Sequence, residues 1–301
     1  MASRTDGPGV GVLFNPALIE FVETHADALD YLAIIPDRCW TDAGPGAAQP
    51  RFETLAEPLA VIQRAAARRP TVLHGIGMSL CSAEIFDLPY VDNLAAWRHR
   101  FGCAWASEHL SFTRVGGGHE VNASLALPVA YDAELLALLG TRVREVRRRL
   151  ACPFLLENNV YYIDIPEQEM GEAEFLNRLA RDTGCGLLLD LHNVLTNARN
   201  HRFDAEAFVR ALDLERVVEI HVAGGDAMMG FHTDSHTGPV DPEVWPLLEC
   251  VVPRAASLRG VTFEFHESSW PLLHDAGVLA QLDRARAVLA SARTAPRAVA
   301  T

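Results

Sequence analysis

Six short apolar runs in this 301-residue chain end on side chains that can hold a metal ion. They are Val72-Leu73-His74, Ala104 to His109, Phe154-Leu155-Leu156-Glu157, Leu187 to His192 with Asp190 inside it, Val218-Glu219-Ile220-His221, and Val261 to His266 with Glu264 inside it. Imidazoles and carboxylates without thiolates suit iron, manganese or zinc, rather than a structural zinc held by cysteines. Residues two apart on an extended strand share a face, so Asp190-x-His192, Asp234-x-His236 and Glu264-x-His266 could each offer two groups to one ion. With His74, His109, Glu157 and His221 added, the donors exceed what one ion needs. A cluster of two or more ions follows, with Glu157 as a candidate bridging carboxylate. Taken singly, each residue has a plainer reading: a buried histidine is usually hydrogen-bonded, and Asp190 could cap a following helix. Taken together, so many buried polar groups at one place would need mutual satisfaction, because unpaired buried carboxylates are costly.

The elements that must position these groups read as alternating strand and helix. Gly9–Asn15 and Leu29–Ile35 bring the strand-like runs to eight. Amphipathic segments suited to helices lie between them: 55–69, 92–101, 132–150, 172–183, 204–212, 242–258 and 277–293. Alternation of this kind implies a parallel sheet with right-handed crossovers, and eight units predict closure into an α/β, TIM-type (β/α) barrel. In such a barrel the C-terminal ends of all strands meet at one rim, where the six run ends would converge. Asp92 and Asp132 read as N-caps, Asp241-Pro242 as a helix start with proline at its first position, and Gly184 as a C-terminal glycine. Arg114–Val121, with Gly116-Gly117-Gly118, reads as a hairpin turn rather than a phosphate cradle, since no Lys-Ser/Thr follows. The expected organisation is a flexible N-terminus at 1–8, one barrel domain at 9–294 and a flexible tail at 295–301.

Bulk properties narrow the function. With 26 basic and 39 acidic residues the net charge is −13, which argues against a nucleic-acid partner. The single basic cluster, Arg144, Arg147, Arg148 and Arg149, falls late in a helix, where cations favour the dipole and solvent. No apolar stretch reaches membrane length and the N-terminus lacks a signal-peptide core. Cys39, Cys81, Cys103, Cys152, Cys185 and Cys250 form no C-x-x-C pair and read as buried free thiols, so a cytoplasmic location is expected. Glu108, His99, His119 and His274 carry no chemical expectation, and Glu120 and Asp226 no clear role.

The motifs also carry a family resemblance. Leu73-His74-Gly75-Ile76-Gly77-Met78-Ser79-Leu80, Ser107-Glu108-His109-Leu110, Leu155-Leu156-Glu157-Asn158, Gly186 to Val194 with Asn200-His201, Glu219-Ile220-His221-Val222-Ala223-Gly224, and Asp234-Ser235-His236 followed by Pro239-Val240 and Val244-Trp245 resemble the multinuclear non-heme iron-dependent oxidases. That family includes the iron oxidase that matures methanobactin. The resemblance runs from about Gly9 to Trp270 in the correct order. It implies a barrel holding two or three irons in mixed ferrous and ferric states, with O2 as co-substrate. His74, His109, Glu157, Asp190, Asn193, His221, Asp234, His236 and Glu264 fall on the family's ligand motifs, and Glu157, Asp190 and His236 are the expected catalytic groups. The implied substrate is a residue, cysteine first, of a ribosomally made precursor peptide, presented by a leader-binding partner protein.

The chain departs from the family pattern at several places. His192 stands where Asn is frequent, Gly225 where His is frequent, His266 where an acid is usual, and Asp37 ends Ile35-Pro36-Asp37 in place of His-Pro-Glu. Gly225 therefore leaves two against three irons open, with His192 or His266 as compensating ligands. Two other functions compete: a divalent-metal isomerase or hydrolase on a related barrel, and a non-catalytic binding barrel.

Overall fold

The computed structural model describes residues 7–47, 50–116, 121–166 and 168–294. The expected terminal tails (save Gly7 and Pro8), the Gly117-Gly118 turn, His119 and Glu120 lie outside them. Eight parallel strands close into a barrel in chain order: β1 (Gly9–Leu13), β2 (Tyr31–Ile34), β3 (Thr71–Gly75), β4 (Ala106–His109), β5 (Phe154–Glu157), β6 (Gly186–Asp190), β7 (Val217–Val222) and β8 (Gly260–Phe263). Each strand is short and buried on both faces, as the apolar runs require. The outward residues pack against helices such as Glu172–Thr183 and Ala133–Leu150. The inward set is smaller: Leu13, Tyr31, Ala33, Ile35, Val72, Trp105, Leu155 and Leu188.

Register decides which polar groups reach the interior. Paired positions in parallel strands share a face, and the pairs His74↔Ser107, His109↔Glu157, Leu188↔Glu157 and Asp190↔His221 run around the barrel. A register shift between Leu187 and Leu188 lets β7 accommodate one extra residue, after which Glu219 pairs with Leu188 and His221 with Asp190. That bulge sets both Glu219 and His221 on the inner face. Gly11 and Gly260 are needed for a different reason. A Cβ on either would come within 2.8 Å of the Tyr31 side chain, which crosses the barrel interior there.

Several local expectations hold. Asp132 accepts from Leu135 N as an N-cap, Gly184 closes its helix in the left-handed region, and Phe112–Val115 pairs antiparallel with Val121–Leu127 as the hairpin required. The basic cluster ends a helix as expected, with Arg148 and Arg149 paired to Glu145. All six cysteines are free, and four are buried. Among the described residues, no helix is long and apolar enough to cross a membrane.

Other expectations need correction. The cap of helix Leu88–Phe101 is Asp87, whose carboxylate accepts from Tyr90 N, with Pro89 in the first turn; Asp92 lies inside the helix and bonds Arg149. Helix Val244–Val251 starts two residues after Pro242, because Asp241 first closes a tight turn through Glu243 N and Val244 N. The last helix runs Trp270–Thr294 but breaks at His274, whose φ is +46°. Helix Leu191–His201 is anticipated by the sequence only as a helix that Asp190 could cap, without bounds, and Asp190 does cap it.

Candidate metal centre

At the C-terminal mouth of the barrel the structure brings together His74, His109, Glu157, Asp190, His221, His236 and Glu264. Ligand atoms lie within 4.8 Å of one another in three groups: His74, His109 and Glu157; Glu157, Asp190 and His221; Asp190, His236 and Glu264. Glu157 belongs to the first two groups and Asp190 to the last two, so the groups form a chain linked by shared carboxylates. The two oxygens of Glu157 face different ways. Oε2 is 3.4 Å from His109 Nε2 and 3.6 Å from His74 Nε2, while Oε1 is 3.9 Å from His221 Nδ1.

Neighbouring groups fix how each ligand presents itself. Ser107 Oγ donates to the Leu73 carbonyl and lies 3.0 Å from His74 Nδ1, so the proton of His74 sits on Nδ1 and the Nε2 lone pair faces Glu157. Burial, then His109 and His221, hold His74 neutral. Burial works against a charged His109, yet Glu157 and Glu108 outweigh it and raise it to about 10. Glu108 Oε1 accepts from His109 N and stands 3.6 Å from His109 Nδ1, while Oε2 accepts from Met78 N. Glu264 spans His221 Nδ1 at 3.2 Å and His236 Nδ1 at 3.5 Å. Burial opposes its charge, but His236 and His221 hold it well below the usual carboxylate range.

Asp190 has two duties. Its Oδ1 accepts from Asn193 N at 2.8 Å and caps helix Leu191–His201, while Oδ2 is buried with no hydrogen-bond partner. The helix-cap reading and the ligand reading therefore apply to different oxygens of one carboxylate. Asn158 clamps the strand end: Asp190 N donates to its Oδ1, its Nδ2 donates to the Asp190 carbonyl, and its own carbonyl accepts from Asn193 Nδ2. Further along the helix, Asn197 donates to the Asn159 carbonyl and His201 pairs with Asp164 and the Tyr161 carbonyl. The segment above the mouth thus hangs on the helix that Asp190 caps.

The acid-x-His expectation fares unevenly. Asp234 Oδ1 and His236 Nε2 are 2.9 Å apart in the loop after His221, as expected, and His236 reaches inward through a left-handed backbone at φ +50°. Strain of that kind persists only where the surroundings impose it. Asp190 and His192 do not share a face, since the chain turns helical between them. His192 belongs to none of the three groups; its Nε2 lies near Thr196 Oγ1 and the Thr233 carbonyl. A Cβ on Gly225 would meet that ring at 2.6 Å, so His192 fills the space beside the glycine. His266 is exposed and caps the turn at Ser268, because the chain has left β8 at Phe263, which removes it as a compensating ligand. Asn193 lies at the mouth with a buried, unpartnered Oδ1, and Asp37 is bonded to Tyr90 outside the groups.

The donor set tests its own fit to metal ions. Glu157 Oε2, Asp190 Oδ2 and Asn193 Oδ1 are buried without a hydrogen-bond partner, while His221, Asp234 and His236 meet only Glu219 or other members of the cluster at ion-pair distances. Orphaned lone pairs at this density are expensive in a protein interior. Cations coordinated by them would remove that cost, so the residues fit a polynuclear centre. Sequence reasoning missed Ser107, Glu108, Asn158 and Glu219 as supports, Glu108 having carried no chemical expectation. Glu219 had a readable signal, since Glu219-Ile220-His221 repeats the acid-x-His spacing.

Comparison with known proteins gives this site its context. The family described as RiPP precursor modification enzyme MbnB/TglH/ChrH matches residues 9–290. The chain belongs to that family. A UPF0276 protein of Caulobacter vibrioides is 32% identical over 288 residues, 96% of each chain. A UPF0276 protein of Neisseria meningitidis serogroup B is 36% identical over 233 residues, 74% of this chain and 78% of its own. Among solved structures, the IOLI protein with a bound zinc atom superposes with a TM-score of 0.59 at 12% identity, covering 95% of this chain and all of its own. D-psicose 3-epimerase of Clostridium cellulolyticum H10 gives 0.56 at 11%, covering 95% and 98%. At such identities the likeness establishes the TIM-barrel fold alone.

Proposed function

We propose that this member of the RiPP-modification family is a multinuclear non-heme iron, O2-dependent oxidase acting on a side chain, cysteine first, of a ribosomally made precursor peptide brought by a leader-binding partner. The observation that carries the reading is the chain of three donor groups joined by Glu157 and Asp190, with their buried lone pairs otherwise unsatisfied. Two shared carboxylates can hold three ions in a row, which favours three over two. When bound, the iron centre would supply activation of dioxygen and withdrawal of electrons from the substrate.

The chain's own residues would do the rest. His74 and His109 would hold one end through Nε2, with Ser107 and Glu108 fixing their rings. Asp234, His236 and Glu264 would hold the other. A small cleft of about 30 Å³ between Asn15, Arg38 and Phe265, room for about one water, touches His236 and Glu264 at that end. Around the centre, Leu13, Ile35 and Leu188 keep the barrel interior dry, which strengthens electrostatic control of the reacting groups.

A divalent-metal isomerase is supported by fold alone, and a non-catalytic barrel leaves the buried lone pairs without a purpose. Anaerobic loading with Fe(II), then exposure to air with a cysteine-bearing peptide encoded beside the gene, separates these readings. The oxidase should consume O2 and change the peptide's mass. A chain that takes up only zinc or magnesium and leaves O2 untouched refutes the proposal.

A further inference from the structure

Below the donor groups lies a buried carboxylate they do not include. Glu219, 1% exposed, accepts from Trp105 Nε1 at Oε2 and from Thr262 Oγ1 at Oε1, both at 2.6 Å. Tyr31 OH lies 2.6 Å from the same threonine oxygen, and its ring fits the barrel only because positions 11 and 260 are glycine. Glu219 Oε1 stands 3.4 Å from His221 Nε2, on the side of the imidazole opposite Glu157 and Glu264.

We infer that Glu219 is a positioning residue that selects the tautomer of His221, keeping the proton on Nε2 so that Nδ1 offers its lone pair to the central ion. The inference rests on the metal reading above. A neutral imidazole carries one N–H, and whichever nitrogen faces an obligate acceptor keeps it. Glu219 is such an acceptor: an indole N–H, which can only donate, occupies one oxygen, and a hydroxyl occupies the other. With both oxygens already bonded and turned to the barrel floor, Glu219 orients a ligand rather than serving as one. Partners of this kind commonly raise metal affinity 10- to 100-fold.

The isosteric change Glu219→Gln makes the logic testable. A glutamine must keep its oxygen toward Trp105 Nε1, which points its NH2 at His221 Nε2. Two donors then oppose each other, and the imidazole proton moves to Nδ1, where it blocks the ligand position. Zn(II) serves as a diamagnetic probe, with histidine 15N–1H correlation spectra reading the tautomer and equilibrium titration the affinity. Wild type should show His221 bound through Nδ1 with a protonated Nε2. E219Q should lose that pattern and bind the central ion roughly 10- to 100-fold more weakly. Trp105→Phe is the control: it removes one donor from the same network but leaves the carboxylate, so the Nδ1-bound pattern should survive. If E219Q matches wild type in spectrum and affinity, or W105F loses the pattern equally, this inference is overturned while the metal reading stands. A wild-type chain that binds neither Zn(II) nor Fe(II) overturns both.

Discussion

Replacing Glu157 by glutamine tests the centre where its design is most exposed. The two oxygens face two different donor groups, His74 with His109 on one side and His221 with Asp190 on the other. Glutamine keeps the shape but turns one of those oxygens into a donor and removes the negative charge from both. One substitution should therefore remove two ions, whereas Glu264→Gln, in a single group, should remove one. The stability readout follows from linkage: ligand at 100 times its dissociation constant stabilises by about 2.7 kcal/mol. For a chain of this length that is roughly 4 °C in Tm. Wild type should gain that shift for each ion on anaerobic Fe(II) loading, and E157Q should keep only the part due to the ion held by Asp190, His236 and Glu264. Without metal, the E157Q and wild-type melts set the baseline, since glutamine relieves a buried carboxylate but also removes the charge that His109 faces at 3.4 Å. Metal analysis after desalting and thermal melts with and without Fe(II) make the comparison. An E157Q protein that retains the wild-type metal count, or loses only one ion, refutes the shared-carboxylate arrangement.

Three further outcomes follow from other parts of the molecule. Glu172 is buried with an unpartnered Oε1, and burial, opposed only by Tyr131, raises it to about 8. Its folded form holds the proton more tightly than the unfolded chain, so its stabilisation is full below about pH 4.5 and is lost as pH rises through 8, by at most about 1.4 kcal/mol per pH unit. Glu172→Gln should flatten that decline in melts across pH 5–9, and an unchanged slope counts against it. Asp87 joins Arg51 and Arg114 and caps helix Leu88–Phe101; burial resists its charge, but the two guanidiniums hold it at about 2. Asp87→Ala should cost about 3–5 kcal/mol in urea unfolding at pH 7, and much less at pH 2, where the wild-type carboxylate is itself half protonated. Gly225→Ala drives a Cβ to 2.6 Å from both His192 Nε2 and the Thr233 carbonyl, so it should lose roughly 1–3 kcal/mol, with partial recovery in the His192→Ala double variant. No loss in the single variant would show that the loop yields freely.

The barrel was legible because its strands are apolar on both faces: Leu187-Leu188-Leu189 or Phe154-Leu155-Leu156 can hardly be anything but buried. Their ends were legible for the same reason, since a charge after such a run marks the rim. Helix Leu191–His201 could be read only as a possible helix after Asp190, because Asp190 both ends a strand and caps the helix, leaving no turn between them. Its buried side also carries Asn193, Thr196 and Asn197, which break the apolar period of 3.6. That same continuity misled the spacing argument at His192, since period-two reasoning fails where the backbone changes state. Glu219 was legible from its acid-x-His spacing to His221, although alternation counted from Val217 across the bulge in β7 places it on the wrong face.

Helix Leu191–His201 has a mechanical meaning. Eleven residues long, it extends about 16 Å. One end is fastened to a carboxylate shared by two donor groups, and the other grips the stretch from Asn159 to Asp164 on the outer lip. A helix is stiff over that distance, so it works as a tie rod. A displacement of that lip is therefore carried to Asp190 along the helix rather than absorbed between them.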